Sequence, residues 1–157
     1  MMFFPTPSIY SLIDSELHDE STFYTKFTQD LLHAEREVVV ESPFITRDRM
    51  RVLFPIFETL INRRVKIYIF TRDPREHTKT LEVQSEVTIQ RLEALGVQVF
   101  LCLGNHHRKL AIVDREILWE GSLNILSQAK SREIMRRIDS KELADQMFHF
   151  LKFERFI

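Results

Sequence analysis

The pattern of hydrophobic positions divides much of the chain into alternating helices and strands. Apolar residues recur every three or four positions in three segments, which predicts amphipathic helices over residues 21–35, 48–62 and 80–95. A short apolar run follows each helix and predicts buried strands at residues 38–40, 65–71 and 97–101. Pro55 is expected to kink or restart the second helix, and Gly96 to cap the third. The order αβαβαβ favours a parallel sheet covered by helices.

The pattern changes after residue 105, where two apolar runs lie close together. Residues 109–113 and 117–119 are separated only by a polar tripeptide, Asp114–Glu116, which is hairpin spacing. A further strand is predicted at residues 133–138 and a last helix at 140–153. We therefore expect an α/β fold with a mixed, mostly parallel β-sheet flanked by helices on both faces. A single domain would span residues 1–157, with residues 1–36 as a helical N-terminal segment packed on it.

Composition narrows the class of protein. The 157 residues are 44% hydrophobic and 29% charged, as in soluble globular domains, and Cys102 is the single cysteine. One cysteine excludes an internal disulfide and an all-cysteine metal cluster, and fits a reducing compartment. No stretch reaches the roughly 20 apolar residues of a membrane helix, and the N-terminus is a poor signal peptide. We expect a cytoplasmic protein without stable membrane insertion.

The net charge of −1 conceals an acidic N-terminal quarter and a mildly basic remainder. Bulk charge therefore does not by itself indicate a nucleic-acid-binding protein, although a basic face remains possible.

The predicted hairpin carries polar side chains that a hydrophobic core would not require. His107 and Lys109 share one face at the start of its first strand, and Ser122 and Asn124 follow its second strand, next to Gly121. Facing residues of the pair would have numbers that sum to about 229 or 230, so these groups should meet. Lysine offers a charge to phosphate, serine and asparagine offer neutral donors, and histidine can attack or donate a proton. Glycine permits close approach to the backbone.

The spacing His107-x-Lys109-x4-Asp114, followed by Gly121-Ser122-x-Asn124, resembles the signature of the phospholipase D superfamily at every position. The resemblance implies a phosphodiesterase with a phospholipase D-like fold. One histidine would attack phosphorus and form a phosphohistidine, while a second histidine protonates the leaving oxygen and later activates water. His107 would take one of these roles.

The resemblance also assigns roles to the other residues of the signature. Lys109 and Asn124 would hold the non-bridging phosphate oxygens, with Ser122 and Gly121 completing the phosphate site. Asp114 belongs to the predicted catalytic set, although its place at the turn suggests that it supports the site. Glu133 is the candidate carboxylate that fixes the imidazole tautomer. Since Lys109 occupies the place of a cation and no metal-ligand cluster is evident, we expect neither a metal nor another cofactor.

The chain departs from the superfamily's pattern in having one such motif, whereas the mechanism needs two histidines. His106 fails the lysine and aspartate offsets, and His77 follows a strand end where it could line a cleft. The simplest solution is a homodimer in which a two-fold axis brings two copies of His107 face to face.

Three functions remain open on the sequence alone. The favoured one is a DNA or RNA endonuclease, since small single-motif members of the superfamily are often nucleases. Nine arginines could supply phosphate contacts, namely Arg47, Arg49, Arg51, Arg72, Arg75, Arg108, Arg132, Arg136 and Arg137. The second is a phospholipid-cleaving or phosphatidyl-transferring enzyme, although an amphipathic basic helix is lacking. The third is a nucleic-acid-binding module of a larger helicase or restriction protein, which would not need an intact His107.

Overall fold

The computed structural model describes residues 14–157, which build a seven-stranded sheet with helices on both faces. Its strands are β1 Asp14–Asp19, β2 Glu37–Glu41, β3 Lys66–Arg72, β4 Gln98–Cys102, β5 Leu110–Val113, β6 Ile117–Gly121 and β7 Ile134–Asp139. Its α-helices are α1 Phe23–His33, α2 Arg47–Asn62, α3 Lys79–Leu95 and α4 Lys141–Phe150. Two short 3-10 helices lie at Pro74–Glu76 and Phe153–Arg155.

The sheet is mixed, as predicted, but parallel pairing covers less of it than expected. The strand order is β1-β7-β6-β5-β2-β3-β4. Only β2–β3 and β3–β4 pair in parallel, whereas the other four neighbouring pairs are antiparallel. Parallel neighbours need long crossovers, and α2 and α3 supply these for β2, β3 and β4. The prediction of a mostly parallel sheet is therefore wrong, while the α/β class with a mixed sheet is confirmed.

The N-terminal region adds a strand to the sheet, which the sequence pattern did not predict. Strand β1 pairs with β7 in antiparallel register, from Asp14 opposite Asp139 to Asp19 opposite Ile134. Its sequence, DSELHD, lacks a hydrophobic alternation because an edge strand exposes much of its surface. The prediction of a helical segment over residues 1–36 is thus wrong for this strand. Residues 1–13 of that segment lie outside the described part of the chain.

The sheet buries both of its faces. Helices α1, α2 and α3 cover one face, where Phe27, Leu53 and Leu92 pack against the sheet. Helix α4 and the last 3-10 helix cover the other face with Phe148 and Phe153. Strand β5 is buried along its whole length, with successive side chains entering opposite cores. This position explains its continuous apolar run and gives the residues before it a rigid base.

The predicted helix boundaries agree closely with the structure. Helix α2 continues through Pro55 without a restart, and the hydroxyl of Thr59 donates to the Pro55 carbonyl at 3.0 Å. Gly96 ends α3 with a positive φ of 114°, a left-handed conformation that favours glycine.

A buried polar network ties α1 to the second strand of the hairpin, β6, and to its neighbour β7. Asp30 accepts a hydrogen bond from the Trp119 indole at 2.8 Å and two from Arg137 at 2.8 and 2.9 Å. The pKa of Arg137 is raised, chiefly because Asp30 accepts these bonds. The network fixes β6 and β7 relative to α1, and both strands border the candidate site.

Candidate active site

The hairpin adopts the register that the sequence predicts. Leu110 faces Glu120 and Val113 faces Ile117, so facing residue numbers sum to 230. This register brings His107 and Lys109, which precede β5, to the end of β6, where Ser122 and Asn124 follow. All four side chains line one groove of about 990 Å³. The structure therefore brings all predicted site residues except Asp114 together at one end of the central strands, namely His107, Lys109, Gly121, Ser122, Asn124 and Glu133.

His107 and Lys109 are in direct contact. The Lys109 ammonium Nζ lies 2.8 Å from His107 Nδ1 and donates to the His107 carbonyl oxygen at 2.6 Å. The nearby Lys109 charge is the largest cause of a lowered pKa at His107, and burial, Arg72 and His106 add to it. A lowered pKa favours the neutral imidazole, which is the form that can attack phosphorus.

Burial acts on Lys109 itself. Removal from solvent lowers the pKa of its ammonium, the Glu133 carboxylate opposes this effect, and Arg72 strengthens it. Glu133 also lines the groove, and its backbone amide donates to Glu20 at 2.9 Å. The charge of Glu133 thus acts on Lys109. Its predicted role in fixing the His107 tautomer stays a prediction.

Ser122 and Gly121 hold the end of β6 against the start of β7. The Ser122 amide donates to the Ile134 carbonyl at 2.9 Å, and the Ile134 amide donates to the Ser122 hydroxyl at 3.1 Å. A Cβ on Gly121 would overlap that Ile134 carbonyl and would lie 2.9 Å from Met135 Cα. The glycine is therefore required for the close approach of the two strands that border the groove.

The substitution Gly121→Ala is expected to destabilise the fold by about 1–3 kcal/mol, because β7 must move away to make room. Urea denaturation of wild type and variant measures this difference. Gly104→Ala is the control, since a Cβ there meets nothing within 4 Å although φ is +86°. Equal losses at the two positions would show that backbone conformation, and not the approach of β7, requires Gly121.

Asn124 enters the groove from the turn after β6. Its carbonyl accepts from the amides of Ser127 at 3.1 Å and Gln128 at 2.7 Å, which holds the turn. Its buried side-chain oxygen Oδ1 has no hydrogen-bond partner within residues 14–157. The unpartnered atom is an acceptor, so the carboxamide would hold a phosphate through the donors on Nδ2 and not through Oδ1.

Asp114 lies at the far end of β5 from Lys109 and does not line the groove. Its carboxylate accepts backbone hydrogen bonds from Glu35 at 2.9 Å, Arg36 at 2.8 Å and Glu37 at 3.0 Å. These bonds fix the hairpin turn to the segment that enters β2. The geometry does not support a catalytic role and assigns Asp114 to structural support.

The substitution Asp114→Asn should destabilise the protein by about 2–3 kcal/mol. The carboxylate accepts the three backbone bonds through two charged oxygens, whereas asparagine offers one neutral acceptor oxygen. The kcat per folded molecule should stay within about threefold of wild type, because the groove is distant. Thermal denaturation and steady-state rates measured well below the transition separate the two effects. A loss of kcat in fully folded Asp114→Asn would return this residue to the catalytic set.

The other histidines occupy different surroundings. The ring of His77 packs against Phe44 with centroids 5.1 Å apart and planes tilted by 32°, and His77 is not among the residues that line the groove. His106 is almost buried, with Nε2 2.9 Å from a carboxyl oxygen of Glu41. The sequence analysis missed Glu41. A glutamate directly after the buried apolar run Val38 to Val40 is unusual, and this position could have marked it as a functional residue.

The sequence matches one protein family over most of its described length. The family described as "Cardiolipin synthase, PLD-like domain" matches residues 27–153. The chain belongs to this phospholipase D-like family. The resemblance drawn from the hairpin residues is thereby confirmed, and the match supports the predicted enzyme class, a phosphodiesterase of the phospholipase D superfamily.

Solved structures share the phospholipase D-like fold. NucT from Helicobacter pylori is 20% identical, with a TM-score of 0.71 over 88% of this chain and 92% of that one. Nuc from Salmonella typhimurium, a phospholipase D family member, is 16% identical, with a TM-score of 0.70 over 88% and 91%. The phosphatidylserine synthase of Haemophilus influenzae Rd KW20 is 14% identical, with a TM-score of 0.66 over 92% of this chain and 39% of that one. A search of curated proteins finds no match.

Two further findings concern residues 14–157 of this phospholipase D-like chain. No helix there combines the length and the apolar character needed to cross a bilayer. No group of three or more His, Cys, Asp or Glu side chains there is arranged to hold a metal ion.

Proposed function

We propose that the chain is a metal-independent endonuclease that cleaves DNA or RNA through a phosphohistidine on His107, in an active site completed by a homodimer. The contact between His107 and Lys109 carries this proposal. It joins an imidazole of lowered pKa to a fixed ammonium, in a groove where Ser122 and Asn124 also project. The imidazole would serve as the nucleophile, and the ammonium with Ser122 and Asn124 would form a phosphate site next to it.

Lys109 would change partners when substrate binds. A charged phosphate oxygen is a stronger acceptor for an ammonium than a ring nitrogen is. Substrate would therefore draw Nζ from His107 Nδ1 to the phosphate, and the freed imidazole would attack phosphorus. The new nitrogen–phosphorus bond forms as the bond to the leaving oxygen breaks, and the second histidine protonates that oxygen. Water, activated by the same second histidine, then attacks phosphorus and releases His107.

Lys109 would also replace the cation that many nucleases use. Its charge lies beside the position of the developing negative charge, as a metal ion would, and preorganised donors of this kind contribute several kcal/mol to transition-state stabilisation.

The homodimer is supported by an apolar rim at the groove. Leu17 and Ile134 are each 63% exposed and Phe150 is 79% exposed, and all three line the groove that contains His107. Contiguous exposed apolar side chains mark interaction sites on soluble proteins. A two-fold partner seated on this rim would cover these side chains and bring a second His107 to the site.

The substitution Ile134→Glu should convert the dimer to a monomer and lower activity by about 10²-fold or more, because it places a charge in an apolar interface and removes the second histidine. Light scattering measures mass and steady-state assays measure rate. Val87→Glu on α3 is the matched control, since Val87 is 53% exposed and lies outside the groove. Full activity in a strictly monomeric protein would contradict the composite site.

Nucleic acid is favoured as the substrate because cationic side chains flank the phosphate site. Arg108 and Arg136 line the groove, and Arg72 lies close enough to His107 to lower its pKa. A chain of phosphates can contact several such groups, whereas a single phosphodiester contacts few. The comparably sized neighbours named NucT and Nuc share this fold.

A phospholipid substrate is the second candidate, and a specific cavity supports it. An apolar cavity of about 320 Å³ shares Glu120, Met147 and Phe150 with the groove. It continues the groove between β6, β7 and α4, where an acyl chain could lie. The family description also names a lipid enzyme.

One assay separates these functions. Single- and double-stranded DNA, RNA and anionic phospholipid vesicles are incubated with the protein in excess EDTA. We expect cleavage of a nucleic acid and no release of lipid headgroup. Headgroup release alone would establish the lipid enzyme. Nucleic-acid binding without cleavage would establish a binding module, and activity that requires added magnesium would contradict the metal-independent mechanism.

A further inference from the structure

The loop that carries His107 has little regular structure of its own. It joins β4 to β5 over residues 103–109, and side-chain contacts hold it in place. Arg72, at the end of β3, donates from Nε to the His106 carbonyl at 3.0 Å. A nucleophile on such a loop needs further anchors, because an error of about 1 Å in its position can cost 10²-fold in rate.

A buried carboxyl group lies beneath this loop. Glu41 ends β2 and its side chain is fully buried, opposite Leu110 at the start of β5. Its oxygen Oε1 accepts from Arg108 Nε at 3.0 Å and lies 2.8 Å from Arg108 Nη2. His106 Nε2 lies 2.9 Å from the same oxygen, a close contact whose angles are not those of a hydrogen bond. One oxygen thus contacts both sequence neighbours of His107.

The second oxygen of Glu41, Oε2, is buried without a hydrogen-bond partner in the described residues. A fully buried carboxyl group with one unsatisfied oxygen costs folding free energy, and a hydrophobic residue would avoid that cost. Neighbouring residues of β2, Val38 to Val40, are all apolar and fully buried. Core packing therefore does not explain why a glutamate occupies position 41, whereas its contacts to the loop that carries His107 do.

We propose that Glu41 is a positioning residue that clamps His106 and Arg108 and thereby orients the His107 imidazole for attack. This inference rests on the proposed function, since it assigns Glu41 to the same reaction. Because Glu41 contacts the residues on either side of His107, the backbone at His107 is fixed and mainly its side-chain rotations remain free. The contact of Lys109 Nζ with Nδ1 restricts those rotations further. The clamp lies behind the nucleophile, and Glu41 is not among the groove-lining residues.

The substitution Glu41→Gln tests the clamp with almost no change of volume. We expect kcat to fall by about 10- to 100-fold, because the imidazole samples unproductive orientations. The inhibition constant of inorganic phosphate should stay within about twofold of wild type, because Lys109, Ser122 and Asn124 are unchanged, and KM for a longer substrate should change much less than kcat, since Arg108 still lines the groove. Glu37→Gln is the matched control. Glu37 begins the same strand and pairs with Arg115, far from the groove, and kcat should be unaffected.

A second variant keeps the test decisive if Glu41→Gln folds poorly. His106→Gln removes the imidazole contact from the other side, and it should lower kcat severalfold at constant KM. The double variant should be no slower than Glu41→Gln alone, since both act through one contact. Equal kcat in wild type and well-folded Glu41→Gln, or matched losses in Glu41→Gln and Glu37→Gln, would overturn the inference. Wild-type protein that cleaves no phosphodiester would instead overturn the proposed function.

Discussion

Replacing His107 with alanine is expected to lower kcat by about 10³-fold or more while the protein remains folded, as when a covalent catalyst is deleted. His107 is exposed in the loop before β5 and contributes little to either core, so its loss should leave stability almost unchanged. The comparison requires a substrate that the wild-type protein cleaves, single-turnover rates at saturating protein, and circular dichroism of both proteins.

His77→Ala is the matched control for this loss. His77 is the histidine that the sequence offered as a second catalytic group, and its ring packs on Phe44 outside the groove. We expect its replacement to change kcat by less than about threefold. A loss as large as that of His107→Ala would make His77 the second histidine and would remove the reason for a composite dimer site.

Replacing Lys109 with alanine should lower kcat/KM by about 10²- to 10³-fold, because the phosphate loses its fixed positive charge in the transition state. Part of the loss should appear in KM, since the ammonium also binds ground-state phosphate. Lys130→Ala is a suitable control, because Lys130 is exposed and does not line the groove. Similar losses in both variants would indicate general attraction of the substrate and not a specific contact.

The Lys109→Ala variant should also change the pH dependence. The lysine charge is the main reason that the pKa of His107 is lowered, so its removal raises that pKa. Activity falls on the acidic side when the nucleophile becomes protonated. A raised pKa therefore moves this limb of the kcat/KM profile to higher pH. The wild-type profile should be bell-shaped, with apparent pKa values that belong to the coupled pair of histidines. An acidic limb that does not move would contradict the assignment of His107.

The hydrophobic pattern was sufficient to predict a helix or strand where one face of that element is buried and the other exposed. The helical periodicity of Phe23, Phe27 and Leu31 predicted α1, and the short polar break at Asp114–Glu116 predicted the hairpin and its register. It failed for β1, since the segment DSELHD forms an edge strand through pairing with β7, and its half-buried face carries the polar residues Glu16 and His18.

Parallel and antiparallel pairing could not be read from the individual strands. Strand β5 is an apolar run like β2, and it is buried on both faces, yet it pairs antiparallel to β2. The direction depends on the connection that precedes it, and the loop after β4 contains no crossover helix. The sequence overestimates the number of parallel pairs because only the strands joined by helices, β2, β3 and β4, follow the parallel pattern.

The signature residues were identifiable from the sequence, but their individual roles were not. Gly121 supports the approach of β7, and Asp114 fixes a turn, because their partners are Ile134 and the backbone of residues 35–37. Such partners are distant in the chain, and no local pattern announces them. Glu41 was missed for the same reason, since its contacts lie more than sixty positions away at His106 and Arg108.

The measurement that tests the central claim most directly is the capture of the covalent intermediate. Wild-type protein is mixed with substrate labelled at the scissile phosphate, and the reaction is stopped in alkali during turnover. We predict a labelled phosphate adduct on the protein that is stable in alkali, is lost in acid, maps to His107 by peptide analysis and is absent from His107→Ala. Rapid turnover by wild type without any adduct, or an adduct that persists unchanged in His107→Ala, would contradict the assignment of His107 as the nucleophile.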